Sequence, residues 1–358
     1  MEENFGERIV NMEGKLEAVK NNVRGLTAAL IEGFDEMKDV LVKMEDRIEE
    51  NPRKRRRTAS GDKENIIVAG GWDDSVEMFN WRRGTWSQLQ SMPKKLQGAT
   101  SFVYNDHVTI AGGDCLYSDD HTSSQCVDNL FTMYINPNRN LSIPWFEYPV
   151  KLLAKSAYHS SVLYNDRLIV TGGGYDANHV SDRIDEVQLV PPYTSETLSR
   201  MPEPRRGHCT QLFDDNLLIV GGSTTGRYQD SLSSVVLYDI KKKEFQPLPE
   251  LPYKVSQMAT VRLGYNIVVI GGLHERGEAL DTVIMYNVVT RTHHMLPSMR
   301  CKRSGCTAVV IGNNIVVLGG SSGHEPLKSV EAFNFESYTW EELPEMSKAR
   351  WLHTAVVV

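Results

Sequence analysis

The sequence lacks most of the marks of an exported, membrane-bound or nucleotide-hydrolysing protein. Its 358 residues hold five cysteines, Cys115, Cys126, Cys209, Cys301 and Cys306, an odd number without CxxC spacing. Reduced thiols, and a cytoplasmic or nuclear home, are therefore expected. The start, MEENFGERIV, is charged and has no apolar h-region, so it does not read as a secretory signal. No apolar run approaches the roughly 20 residues that span a bilayer, and no membrane partner is expected. There is no GxxxxGK[ST] and no HExxH. An excess of positive charge is missing too: 39 Lys and Arg face 46 Asp and Glu, for a net charge of −7, which gives nucleic-acid binding no electrostatic basis. Gly319-Gly320-Ser321-Ser322-Gly323 fits GxSxG literally, but it overlaps a glycine pair that leads toward a strand, whereas a nucleophile elbow leads into a helix. His293 and His294 are adjacent on an expected strand and so point to opposite faces, which suits no shared metal. No catalytic residue, metal ligand or cofactor is expected, and the chain reads as a non-enzyme.

What the sequence does have falls into three regions. In residues 1–50, apolar side chains recur at Ile9, Met12, Leu16, Val19, Val23, Leu26 and Leu30, then at Phe34, Met37, Leu41, Met44 and Ile48. Alternating steps of three and four predict an amphipathic α-helical coiled coil over residues 5–50. The successive four-steps through Leu26, Leu30 and Phe34 mark a stutter. The stripe is expected to pair with a second copy of the chain, giving a homo-oligomer; docking on the chain's own surface is the alternative. Residues 51–62 read as a basic linker opened by Pro52. Its run Arg53-Lys54-Arg55-Arg56-Arg57 is a nuclear-localisation candidate or a solvated hinge.

Residues 63–358 repeat. Six apolar segments end in glycine pairs whose first members are Gly70, Gly112, Gly172, Gly221, Gly271 and Gly319, spaced 42, 60, 49, 50 and 48 residues apart. Within one repeat, GHCTQLF, LLIV, SSVVLYDI and KKKEFQPL predict four antiparallel strands with a turn at Asp214-Asp215-Asn216. An aromatic pair seven residues apart recurs as Phe79/Trp86, Tyr238/Phe245 and Phe333/Trp340, with Tyr286/His293 a weaker copy. Such rings would fill the space between sheets. The third repeat departs, with Leu189 in the tyrosine place. The chain ends in ARWLHTAVVV, a first strand without its second, while NIIVAGG opens the repeats as a second strand without its first. Joining the two completes a sixth unit and leaves no open sheet edge.

From Lys63 to Val358 these motifs resemble the kelch family, whose period near 50 signals a propeller. The resemblance implies an all-β, six-bladed kelch β-propeller closed by the C-terminal strand and preceded by the coiled coil. It further implies a protein-binding adaptor. Related adaptors receive substrates for ubiquitin ligases, but they carry BTB and BACK domains, for which the first 62 residues are too few. A ligase role would need a separate chain. The family also includes actin-associated proteins and carbohydrate-active propeller enzymes, and the enzyme is the less favoured of these two readings. In kelch adaptors, arginine and serine in the loops entering each blade line the receiving mouth. Here the candidate rim residues are Lys95, Lys155, Ser156, Arg206, Lys254, Ser256, Arg303, Ser304 and Arg350, and the ligand implied is an acidic peptide segment of a partner protein. The acidic insertion at 114–127 is a second candidate loop.

Overall fold

The computed structural model describes residues 65–116, 124–135, 144–176 and 179–358. The expected coiled coil, the linker with Arg53–Arg57, and residues 117–123 of the acidic insertion lie outside the described residues. Among those described, no helix is long and apolar enough to cross a membrane.

The described residues form six four-stranded antiparallel sheets. Blade 1 takes Thr354–Val357, Asn65–Ala69, Val76–Asn80 and Thr85–Leu89, in spatial order from the first strand to the fourth. Blade 2 is Thr100–Tyr104, His107–Ala111, Leu130–Tyr134 and Phe146–Glu147; blade 3 is Ser160–Tyr164, Arg167–Thr171, Arg183–Gln188 and Ser195–Arg200. Blade 4 is Cys209–Phe213, Asn216–Val220, Val235–Asp239 and Glu244–Leu248. Blade 5 is Ala259–Leu263, Asn266–Ile270, Val283–Asn287 and Thr292–Leu296; blade 6 is Thr307–Ile311, Asn314–Leu318, Val330–Asn334 and Thr339–Leu343. The six first strands neighbour one another in a closed circle and form the inner wall.

Closure follows the expected route. Thr354–Val357 pairs antiparallel with Asn65–Ala69, Ala69 opposite Thr354 and Ile66 opposite Val357. The two ends of the propeller are thus hydrogen-bonded within one sheet, which removes both edges. Each second strand is apolar on both faces because a neighbouring blade covers each side. Val268, Val269 and Ile270 are all buried, Val268 and Ile270 in the core shared with blade 6 and Val269 in that shared with blade 4. The aromatic pairs sit side by side across the third and fourth strands, with ring centroids 5.0 Å apart for Phe79 and Trp86, 4.6 Å for Tyr238 and Phe245 and 5.3 Å for Phe333 and Trp340. In blade 3 the register corrects the expectation for Leu189: Val187, opposite Leu168 as Tyr238 is opposite Leu217, holds the aromatic's place, while Leu189 is buried two residues further on and its carbonyl accepts from the Tyr148 hydroxyl at 2.7 Å.

The glycine pairs have a specific reason. Gly319 and Gly320 adopt φ of +54° and +93°, and a Cβ on Gly319 would stand 2.6 Å from the Arg350 carbonyl oxygen. The second glycine of each pair donates its N–H to the linker entering the next blade. Gly71 reaches Leu96 O, Gly113 Ser156 O, Gly173 Arg205 O, Gly222 Val255 O, Gly272 Arg303 O and Gly320 Arg350 O, all at 2.8–2.9 Å. Backbone this close to backbone admits no side chain.

Candidate functional site

Those six hydrogen bonds define equivalent positions in the loops entering the blades. The accepting residues are Leu96, Ser156, Arg205, Val255, Arg303 and Arg350. Two residues further on come Gly98, Tyr158, Gly207, Gln257, Gly305 and Leu352, all with φ between +53° and +61°. Their backbones form a second circle around the axis. Each N–H donates to the carbonyl of its counterpart in the preceding loop at 2.7–2.8 Å: Tyr158 to Gly98, Gly207 to Tyr158, Gln257 to Gly207, Gly305 to Gln257, Leu352 to Gly305 and Gly98 to Leu352. A non-glycine residue in this region is strained by roughly 1–2 kcal/mol, so the tolerance of Tyr158, Gln257 and Leu352 shows how firmly the circle is held. It leaves a shallow hollow of about 130 Å³ at the centre of the mouth, lined by Tyr158, Gln257 and Leu352 among others.

The candidate rim residues do not occupy equivalent places. Arg303 and Arg350 stand at the first of these positions and are 1% and 0% exposed. They are interior staples and line no mouth. The Arg350 guanidinium donates to Glu77 Oε1 at 3.0 Å, to Gly70 O at 2.7 Å and to Ser75 O and Oγ at 3.1 and 2.7 Å. Arg303 repeats the set with Glu331 at 2.8 Å, Gly319 O at 2.7 Å and Ser329. Arg205, which the sequence pattern hid behind its neighbour Arg206, is the third member, 1% exposed and bound to Gly221 O, Ser234 and Glu203. A buried guanidinium needs several acceptors and a counter-charge, and these blades supply both. Counting back three residues from His208, Cys306 and His353 would have revealed the equivalence.

Ser156, Ser256 and Ser304 are buried as well. Ser256 Oγ accepts from Ser231 Oγ at 3.0 Å, and Ser304 Oγ donates weakly to Ser321 O at 3.5 Å. The surface cations of the set are Lys95, Lys155 and Lys254, with Arg206 half-buried. Lys254 is opposed by Glu275 at 3.1 Å. Arg206 lies over the Tyr158 ring, 4.1 Å from its centroid, and donates to Asp176 O at 3.0 Å.

Around Tyr158 the mouth carries a polar cluster, with Arg206, Asp114 and Cys126 all close enough to act on its phenol. Gln97 donates to Asp114 Oδ2 at 3.2 Å, while Gln97 Oε1 and Asp114 Oδ1 are buried without partners among the described residues. The buried Cys126 thiol donates to Gly174 O and Tyr175 O at 3.5 and 3.4 Å. Burial, aided by Asp114, pushes it up to about 12 against the pull of Arg206 and Lys155, so it stays protonated and is no nucleophile. Burial likewise pushes the Tyr158 phenol up to about 12. His159, His208 and His353 sit beneath the glycine pairs of the preceding blades, and burial holds them down to about 4, 3 and 3. They are neutral spacers at neutral pH. No cluster of three or more His, Cys, Asp or Glu suited to a metal occurs among the described residues.

Comparison with known proteins gives a consistent picture. The family model described as Kelch motif matches residues 204–252, 255–300 and 302–347, which cover blades 4, 5 and 6 with their entering loops. Kelch-like protein 15 of Danio rerio is 24% identical over 201 residues, covering 53% of this chain and 33% of that protein. The tRNA wybutosine-synthesizing protein 4 of Candida glabrata is 23% identical over 220 residues, covering 56% of this chain and 30% of that protein. The matches thus span only 33% and 30% of these curated relatives' lengths. A solved structure titled Structure of YjhT superposes with a TM-score of 0.61 at 14% identity, covering 74% of this chain and 88% of that one. At that identity the likeness is one of fold.

Proposed function

We propose that this six-bladed propeller, whose blades 4, 5 and 6 match the Kelch motif, is a non-enzymatic protein-interaction module receiving an acidic segment of a partner on its mouth face. The observation that carries the proposal is the placing of Lys155 and Arg206 in successive entry loops, with Arg206 lying over the half-buried Tyr158 ring. Both cations bear on the same thiol, Cys126, so their fields overlap. A carboxylate arriving here would meet two positive charges and an aromatic face. Each exposed pair contributes about 0.2–1 kcal/mol, so several must act together. Recognition is then a property of one sector, the side of Lys95, Lys155 and Arg206, because Arg303 and Arg350 are consumed inside the blades. A catalytic mouth has less support: the central hollow is about 130 Å³ and the titratable groups lining it are the buried phenol, thiol and neutral imidazoles of Tyr158, Cys306, His159, His208 and His353. A substrate-receiving role for a ubiquitin ligase would require a separate chain to supply the ligase contacts.

The test is affinity capture with the full chain, quantified by mass spectrometry. Lys155→Glu/Arg206→Glu should lose the captured protein. Lys241→Glu/Lys242→Glu, in the turn between the third and fourth strands of blade 4 on the opposite face, should retain it. Capture that survives the first variant, or that ignores added salt, would place binding elsewhere.

A further inference from the structure

Three blades share one arrangement of two residue types. The entry loop supplies an arginine (Arg205, Arg303, Arg350) and the residue before the third strand a serine (Ser234, Ser329, Ser75), with hydrogen bonds joining them at 2.7–2.9 Å. In blade 3 the two types have changed places. Ser156 is in the loop and Arg183 is at the head of the third strand. The ion pair is kept, since Arg183 Nη2 lies 2.8 Å from Asp185 Oδ2 and Thr197 also donates to that carboxylate at 2.9 Å. It is now made within the sheet. No guanidinium crosses from the loop, and the volume it fills elsewhere is left open as part of a cavity of about 460 Å³. Ligand sites run from about 300 to 1,000 Å³.

The cavity is polar in a one-sided way. Ser156 and Arg183 both line it, and Ser156 Oγ and Arg183 Nε are each buried without a partner among the described residues. Leaving a buried donor unmade costs about 1–3 kcal/mol, and both unmade donors belong to residues of this lining. The carboxylates of the lining are already engaged, Asp182 with Arg200 at 2.5 Å and Asp185 with Arg183. The Lys155 ammonium, also in the lining, has no carboxylate within ion-pair distance among the described residues and leaves the site one positive charge in surplus. Tyr175 and His179, stacked 4.5 Å apart, complete the wall on the mouth side, and His179 is held by Asp176 at 2.8 Å.

We propose that the cavity between the 152–156 loop and blade 3 binds a compact anion, a carboxylate or a phosphate group, held by Ser156 and Arg183 and neutralised by Lys155. The anion is either a free small molecule or an acidic side chain of a bound peptide; only the second source rests on the mouth face being a peptide-binding surface. Titration calorimetry on the full chain tests it with three probes: inorganic phosphate, succinate, and an N-acetylated peptide amide containing one glutamate, with the glutamine peptide as control. At least one anionic probe should bind the wild type. Ser156→Arg/Arg183→Ser rebuilds the arrangement of blades 4, 6 and 1; it should fold with an undiminished melting temperature and weaken binding at least about tenfold, the worth of a charge-assisted hydrogen bond. Ser156→Ala, which removes one donor without filling the space, should weaken binding without blocking it. No binding by any anionic probe, or equal binding by the rebuilt variant, overturns the proposal. Binding of the glutamate peptide alone identifies the source as a partner. Binding of the free anions with partner capture untouched by Lys155→Glu/Arg206→Glu upholds the cavity and removes the mouth reading.

Discussion

At the scale of single residues, the entry loops show how the same position can be filled by opposite chemistries when its partner changes with it. Arg350 meets Glu77 and Arg303 meets Glu331, whereas Leu96 and Val255, at the same place in blades 2 and 5, stand with the apolar Phe131 and Ile284 at the place of the glutamates. This was illegible in the sequence for a physical reason. A basic residue before a strand reads as a solvated loop cation, and the partner that buries it is far away along the chain, 273 residues in the case of Arg350 and Glu77. The apolar blades offer the control experiment. Arg350→Val alone should destabilise by about 3–5 kcal/mol, because Glu77 is left charged and buried. Arg350→Val/Glu77→Ile copies the pair of blade 5 and should recover most of that loss in urea unfolding. If the double variant falls as far as the sum of Arg350→Val and Glu77→Ile measured singly, the two residues do not act as a pair.

At the scale of elements, the legible features are those repeated from blade to blade by local chemistry. The apolar second strands and the glycine pairs recur in all six blades and the aromatic pairs in blades 1, 4 and 6, so each copy supports the others. The two-residue strands Leu96–Gln97 and Val255–Ser256, which pair with Asp114–Leu116 and Leu273–His274, left no signal, because tertiary pairing alone makes them strands. The blade junctions carry a further consequence. His353 lies under Gly319 in the way Met258 lies under Gly221, and both of its ring nitrogens lack partners among the described residues. With folded values of about 4, 3 and 3 for His159, His208 and His353 against an ordinary 6.5, the native state binds fewer protons than the unfolded chain. Their contribution is therefore intact above about pH 6.5 and is lost as the pH falls toward 3, at about 1.4 kcal/mol per pH unit for each proton taken up. The urea midpoint should drop between pH 7 and pH 5. His353→Met, which borrows the blade 5 solution, should flatten that drop. An unchanged pH slope in the variant would show that His353 does not couple unfolding to protons.

At the scale of the whole molecule, closure decides what the propeller can and cannot do by itself. Thr354–Val357 completes blade 1, so the ring offers no first- or second-strand edge, and in fourth strands such as Glu244–Leu248 and Thr339–Leu343 the exposed positions are mostly charged or polar, as Glu244, Gln246, Thr339, Glu341 and Glu342 are, while an aromatic between them turns inward. Sheet-edge pairing is therefore a poor route to assembly. The heptad stripe from Ile9 to Ile48 is a better one, since about a dozen apolar side chains at a/d spacing gain roughly 1–2 kcal/mol each only when something covers them. Two or three linked mouths would raise the effective concentration of a second contact without adding any new one, which suits weak, salt-sensitive capture by a few cations. The expected outcome in light scattering is a mass that is a multiple of 40.4 kDa for the full chain, and a monomer when only residues 62–358 are present. Replacing Leu16, Val23 and Leu30 with aspartate in the full chain should give the same monomer while leaving the propeller's melting unchanged. A full chain that runs as a monomer at micromolar concentration would end the argument for avidity, and the affinity of a single mouth for the proposed partner would then have to suffice alone.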